Sequence, residues 1–143
     1  MTSNHRRSER EKTELAYTYN RVLKDVAIDD AELLVRDALA EKGFGVLTEI
    51  DVKATMKKKL DVNFRPYMIL GACNPEFAYK AFQSEDKIGT MLPCNLVLQD
   101  AGDGTVEVSA IDPMASMQAI ENPDLEAIAN DVQGLLKSVI EEL

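Results

Sequence analysis

The hydrophobic pattern of the chain switches between a period of two, typical of strands, and a period of three to four, typical of helices. Residues 15–23 alternate and are rich in β-favouring side chains, which predicts a first strand. Asp29 and Glu32 form a capping-box-like pair at the start of a helix predicted over residues 30–42. A strand over Gly45–Asp51 and a short lysine-rich helix are predicted to follow.

The second half repeats this pattern, and prolines mark its boundaries. A buried strand is predicted over Tyr67–Cys73, and Asn74 with Pro75 are residue types preferred at the N-cap and first position of a helix. A strand over residues 92–99, a glycine-rich turn and a valine-rich strand predict a hairpin. Asn122 repeats the cap signal before the longest apolar stripe. The order βαβαβαββα favours an α+β domain with helices packed against a mainly antiparallel sheet.

Length and composition indicate one domain. The 143 residues are 45% hydrophobic and 29% charged, which is enough to build a core. Residues 1–14 hold no aliphatic residue after the initial methionine, so we expect a disordered tail before a single domain over residues 15–143. Because no apolar run approaches a spanning length and no secretory leader is visible, we expect a cytoplasmic protein that does not bind membranes.

Charge and histidine content exclude several functions. A net charge of −9 repels the phosphate backbone, so nucleic acid is not an expected partner. The one histidine, His5, lies in the predicted tail, and two cysteines cannot complete a tetrahedral zinc site. We therefore predict no metal and no cofactor. The folded part also lacks a histidine base for nucleophilic catalysis, although enzymatic activity as such stays open.

The only two cysteines lie in a repeated Cys-Asn dipeptide, and each dipeptide adjoins a proline. If their strands are neighbours, Cys73-Asn74 and Cys94-Asn95 would form one site. A thiol just before a helix N-terminus has a stabilised thiolate, so Cys73 is the candidate nucleophile and Cys94 the resolving thiol. Alternatively, both cysteines are small buried core residues, and the two asparagines cap a helix and bond a turn.

Arg65 and Tyr67 are the remaining candidates for a ligand site. Arg65 stands between apolar and proline residues just before the central strand, and its guanidinium is suited to a carboxylate or phosphate. A surface ion pair would explain this arginine equally well. Met114 and Met117 are of a type that can line an adaptable pocket, although methionine more often fills gaps in a core.

From Phe64-Arg65-Pro66-Tyr67 through Leu92-Pro93-Cys94-Asn95, the chain resembles the family catalogued as domain of unknown function 302. The likeness extends from about Leu15 to the C-terminus and is most specific in the two Cys-Asn motifs, whereas residues 83–86 depart from the proline-containing turn usual there. The resemblance implies a TATA-binding-protein-like α+β topology, as a description of shape without DNA binding, and it implies no established reaction.

Three functional hypotheses follow. The first is a domain that binds a small ligand near the two Cys-Asn motifs. Its candidate ligand-binding residues are Arg65, Tyr67, Cys73, Asn74, Cys94 and Asn95. The second is a thiol-based redox enzyme or sensor that uses Cys73 and Cys94. The third is a structural or regulatory homodimer, suggested by the long apolar stripe of the last helix, which packing on the protein's own sheet would explain equally well.

Overall fold

In the part of the chain that the structure describes, five strands form one antiparallel sheet, against which the helices pack. The computed structural model describes residues 16–143, so the predicted tail over residues 1–14 lies outside the described residues. The strands are β1 (Thr18–Lys24), β2 (Gly45–Asp51), β3 (Tyr67–Cys73), β4 (Cys94–Gly102) and β5 (Thr105–Ile111). The helices are α1 (Ile28–Glu41), α2 (Val52–Leu60), α3 (Pro75–Ser84), α4 (Pro113–Ser116) and α5 (Pro123–Glu141), with a 3₁₀ turn at Ile88–Met91.

The strand order is β1-β5-β4-β3-β2, and every neighbouring pair is antiparallel. The predicted α+β class with an antiparallel sheet is therefore confirmed. β2 and β3 have the predicted bounds, whereas β4 begins two residues later than predicted and the one-turn helix α4 was not predicted.

The core lies on one face of the sheet, where α1 and α5 cover it. Alternate residues of the three central strands are buried there, as the period of two requires. They are Leu70, Ala72, Cys94, Leu96, Leu98, Val106, Val108 and Ala110. The apolar stripe of α5 packs on this face through residues such as Leu136 and Val139. The chain's own sheet therefore covers the stripe that suggested a homodimer, and the homodimer stays a prediction.

Asn122 is the N-cap of α5, as predicted. Its side-chain oxygen accepts hydrogen bonds from the backbone amides of Asp124 and Leu125. Its amide group also donates to the carbonyl of Ser84 at 2.8 Å, which ties the start of α5 to the end of α3. This single residue therefore positions two helices relative to one another.

The predicted cap of the first helix is wrong. α1 begins at Ile28, and its N-cap, Ala27, offers no side-chain hydrogen bond. Glu32 instead accepts from Arg36 at 2.9 Å, and the same guanidinium pairs with Glu49 on β2. The ion pair with Arg36 within the helix takes the Glu32 carboxylate that a capping box would need.

The C-terminus of α5 is tied to the first strand. Arg21 of β1 donates from Nη1 to the carbonyl oxygen of Glu141 at 2.6 Å. Lys42, just after α1, forms an ion pair with Glu142 at 3.0 Å. Cations near the last turn of a helix complement its exposed carbonyls and dipole, so both contacts stabilise the end of α5. Among the helices of residues 16–143, none is both long enough and apolar enough to cross a membrane.

Candidate functional site

The pairing of β3 with β4 brings the two Cys-Asn motifs to the same end of the sheet. Ala72 lies directly opposite Cys94, so Cys73 is one residue beyond the partner of the second cysteine. Both cysteines are free, and both line one cavity at this end of the sheet. The sequence predicted a shared site only if the two strands are neighbours, and β3 and β4 do pair.

Gly71 allows the second motif to lie tightly against the sheet. A Cβ atom at this buried position would collide with Thr48 Oγ1 and lie 2.6 Å from Pro93 Cγ. Pro93 follows a cis peptide bond and directly precedes Cys94. Only glycine leaves room for Thr48 and Pro93 to pack at this position. Gly71 thereby lets Pro93, which lines the cavity, lie close to β3.

The cavity has a volume of about 40 Å³ and lies between the ends of β3 and β4, helix α3 and helix α5. Its lining is almost entirely apolar. Representative lining residues are Phe44, Phe77, Leu92, Ile128, Ala129 and Val132. Of the described residues that line it, Asn74 alone has an amide side chain, and none has a charged one. The cavity is therefore suited to a neutral group of a few heavy atoms.

Asn74 occupies the predicted N-cap position of α3, but its side chain does not cap the helix. Its Nδ2 donates instead to the carbonyl oxygen of Lys42 at 3.4 Å. This contact is close because Gly43, with a φ of +84°, turns the chain beside it. Asn74 is half-buried and borders the cavity, and its amide group is committed to Lys42 rather than to the helix.

The two thiols are protonated at neutral pH. Burial raises the pKa of Cys73, which is the opposite of the lowering that we predicted from the helix N-terminus. Burial, together with repulsion from Cys73, raises the pKa of Cys94 to about 11. Loss of water around the thiols disfavours the charged thiolate and therefore raises both pKa values.

Asn95 does not reach the cavity. Successive side chains of a strand point to opposite faces, so the burial of Cys94 directs Asn95 to the other face of the sheet. Asn95 is exposed there, opposite Gly71. The structure therefore separates the two members of the second Cys-Asn dipeptide.

Arg65 and Tyr67 lie at the opposite end of β3 from the cysteines. The strand between them spans roughly 20 Å at the usual rise per residue. The Nε atom of Arg65 donates to Gln99 at 2.9 Å, and the guanidinium carbon lies 4.6 Å from the ring centroid of Phe64 and 5.5 Å from that of Tyr67. Within residues 16–143 no carboxylate pairs with this arginine, so the hydrogen bond to Gln99 and the two aromatic rings hold it.

The structure thus brings together three of the six predicted site residues: Cys73, Asn74 and Cys94. Further walls of the cavity come from α3, from α5 and from the segment that precedes α5, including Met117 and Leu125. The sequence prediction did not assign residues of α5 to the site. One feature of the sequence could have indicated this wall. Ala129 is a small residue within the stripe of larger apolar residues on α5, and it lines the cavity.

Together, the fold and the cavity define a small α+β domain with an apolar site beside two reduced cysteines. A family model described as Domain of unknown function DUF302 matches residues 19–143, and the chain belongs to this family.

Two relatives agree with this assignment. An uncharacterised protein from Aquifex aeolicus (strain VF5) is 26% identical over 93 residues, a match that covers 65% of this chain and 58% of the relative. The crystal structure of an uncharacterised conserved DUF302 protein from Bacillus stearothermophilus has a TM-score of 0.79 and 25% identity, over 87% of this chain and 96% of that one.

Proposed function

We propose that this domain binds a small, mainly apolar ligand in the cavity beside Cys73, Asn74 and Cys94. The observation that carries the proposal is an apolar cavity enclosed by the ends of β3 and β4 and by helices α3 and α5. Apolar walls with few polar groups are the usual composition of small-molecule sites. The walls would provide affinity through apolar contacts.

The residues that line the cavity also limit the charge and the size of the ligand. A charged group here would lose its hydration without gaining an opposite charge, so the bound part is neutral. The volume of about 40 Å³ accommodates an apolar group of about two or three heavy atoms. A group of about three heavy atoms gains at most roughly 4–5 kcal/mol, so the Kd of such a ligand is about 0.5 mM or weaker. We expect an alcohol or a ketone rather than an acid.

The test is an NMR titration of the ¹⁵N-labelled protein with neutral alcohols and ketones of about two to four carbon atoms. We expect saturable shifts at the amides of Cys73, Asn74 and Cys94. Ala78→Leu should weaken binding at least about tenfold, because Ala78 lines the cavity and a larger side chain would fill it.

The matched control is Ala54→Leu, which makes the same substitution at an exposed position of α2. This variant should bind as the wild type does. If no compound of the panel gives saturable shifts, or if both variants weaken binding equally, the proposed site is wrong.

A second candidate function is a thiol-based redox enzyme or sensor that uses Cys73 and Cys94. It is supported by the position of both cysteines at one cavity. Hydrogen peroxide would oxidise one thiol to a sulfenic acid and release water, and the second thiol would then displace a second water to form a disulfide. The raised pKa of both thiols opposes this chemistry at neutral pH.

Mass spectrometry after peroxide treatment at pH 7 and pH 9 separates the two candidates. Rapid formation of an intramolecular disulfide at pH 7 would favour the redox function. Slow oxidation that accelerates only at alkaline pH would leave ligand binding as the better account.

A further inference from the structure

A second cavity adjoins the first on the side of α4. Its volume is about 180 Å³, and it shares three lining residues with the inner cavity: Met117, Leu125 and Ala129. Leu125 and Ala129 belong to the buried face of α5, whereas Met117 follows α4. Of these three side chains, Met117 alone is long and flexible. It can change its rotamer without moving a helix.

The segment that carries Met117 is anchored at both ends. At its start, Asp112 accepts from the amide of Met114 at 2.9 Å and from Gln133 on α5 at 3.1 Å. At its end, Asn122 holds Ser84. The backbone between these anchors is therefore fixed at both ends beside α5, which leaves the side chain of Met117 as the movable partition.

We propose that the two cavities form one chamber divided by Met117, and that the ligand is an unbranched amphiphile. This inference rests on the proposed function. The apolar tail occupies the inner cavity, and displacement of the Met117 side chain lets the chain continue outward. The head lies in the outer cavity, where the lining includes polar side chains.

The charges of the outer cavity identify the head group. Gln118 and Glu126 line it, and no lysine or arginine lines either cavity among the described residues. The protein also has a net charge of −9. A carboxylate or phosphate head would therefore be repelled, whereas a hydroxyl or an ammonium group can donate to Glu126. We infer the ligand class to be linear primary alcohols or amines.

The test measures binding of 1-alkanols and 1-aminoalkanes of about three to ten carbon atoms, with carboxylates of matched length, by calorimetry. Met117→Ala should tighten binding of the longest chains about three- to tenfold and change that of the shortest less than about twofold. Met117→Phe should weaken only the long chains. Met91→Ala is the matched control, because Met91 is exposed and lines neither cavity, and it should leave the length preference unchanged.

The outcomes distinguish this inference from the proposed function. If the wild type binds short alcohols but neither Met117 variant alters the length preference, the partition is wrong and the inner site stands. If the wild type binds no member of the series, the proposed function fails as well. Glu126→Gln should remove a preference of about fivefold for amines over alcohols. Carboxylates that bind as tightly as amines would overturn the assignment of the head group.

Discussion

Replacement of Gly71 by alanine should destabilise the domain, because the added methyl group has no space. The position is buried in β3, where a Cβ atom would collide with Thr48 Oγ1 and lie 2.6 Å from Pro93 Cγ. Neither neighbour can turn away easily, since threonine is branched at Cβ and the proline ring is closed. The strands must therefore shift.

The expected cost is a balance of two effects. Overpacking of a well-filled site costs about 1–3 kcal/mol. Alanine recovers about 0.5–1 kcal/mol, because it restricts the unfolded chain more than glycine does. The net loss should be about 1–2 kcal/mol in urea unfolding followed by circular dichroism, with a fall in Tm of roughly 3–5 °C per kcal/mol for a chain of this size.

Two variants test the physical cause. Gly45→Ala makes the same change in β2 at a position with nothing within 4 Å of the new Cβ, so it should alter stability by less than about 0.5 kcal/mol. Thr48→Ala in the Gly71→Ala background removes one colliding atom and should restore about 0.5–1 kcal/mol relative to additivity. A Gly71→Ala protein as stable as the wild type, or no coupling to Thr48, would refute the reasoning.

Three further predictions concern stability. Gly134→Ala should add about 0.5–1 kcal/mol, because the position is exposed in α5 and the new Cβ has open space; a lower Tm would contradict this. Leu136→Ala should cost about 2–5 kcal/mol in urea unfolding, since the side chain is fully buried, and a loss below about 1 kcal/mol would show a loosely packed core. Because burial raises the pKa of Cys94 to about 11 from an ordinary 9.0, the unfolded state loses its proton first, and stability should fall by about 2–3 kcal/mol between these pH values. Cys94→Ala should lack this additional decline, and equal slopes for both proteins would exclude it.

The sequence correctly predicted features that depend only on contacts between residues close together in the chain. β3 has the predicted bounds because a proline precedes it and a helix start follows it. Asn122 caps α5 because its side chain needs only the amides of the next residues. Asn74 carries the same signal, yet the carbonyl of Lys42 takes its side chain. That competing partner comes from another element, so sequence proximity could not reveal it.

The candidate site was predicted in part for the same reason. Cys73 and Cys94 lie close together because β3 and β4 are neighbouring strands. The prolines and turn residues beside the two cysteines suggested this pairing but could not establish it. The exclusion of Asn95 follows from strand alternation once the buried face is known, and Arg65 is too distant because a whole strand separates it from the cysteines. The α5 wall depends on the docking of a helix about fifty residues further along the chain, which no local pattern encodes.

Arg21 joins β1 to the end of α5, so this contact can form only after nearly all of the described chain has been made. The two residues that it joins, Arg21 and Glu141, are 120 positions apart, and β1 pairs only with β5 within the described sheet. During synthesis from the N-terminus, β1 is made long before either partner exists. Its backbone groups stay unpaired in the nascent chain and are an open edge for other strands. Within the described sheet, the strand that is made first is thus among the last to be paired.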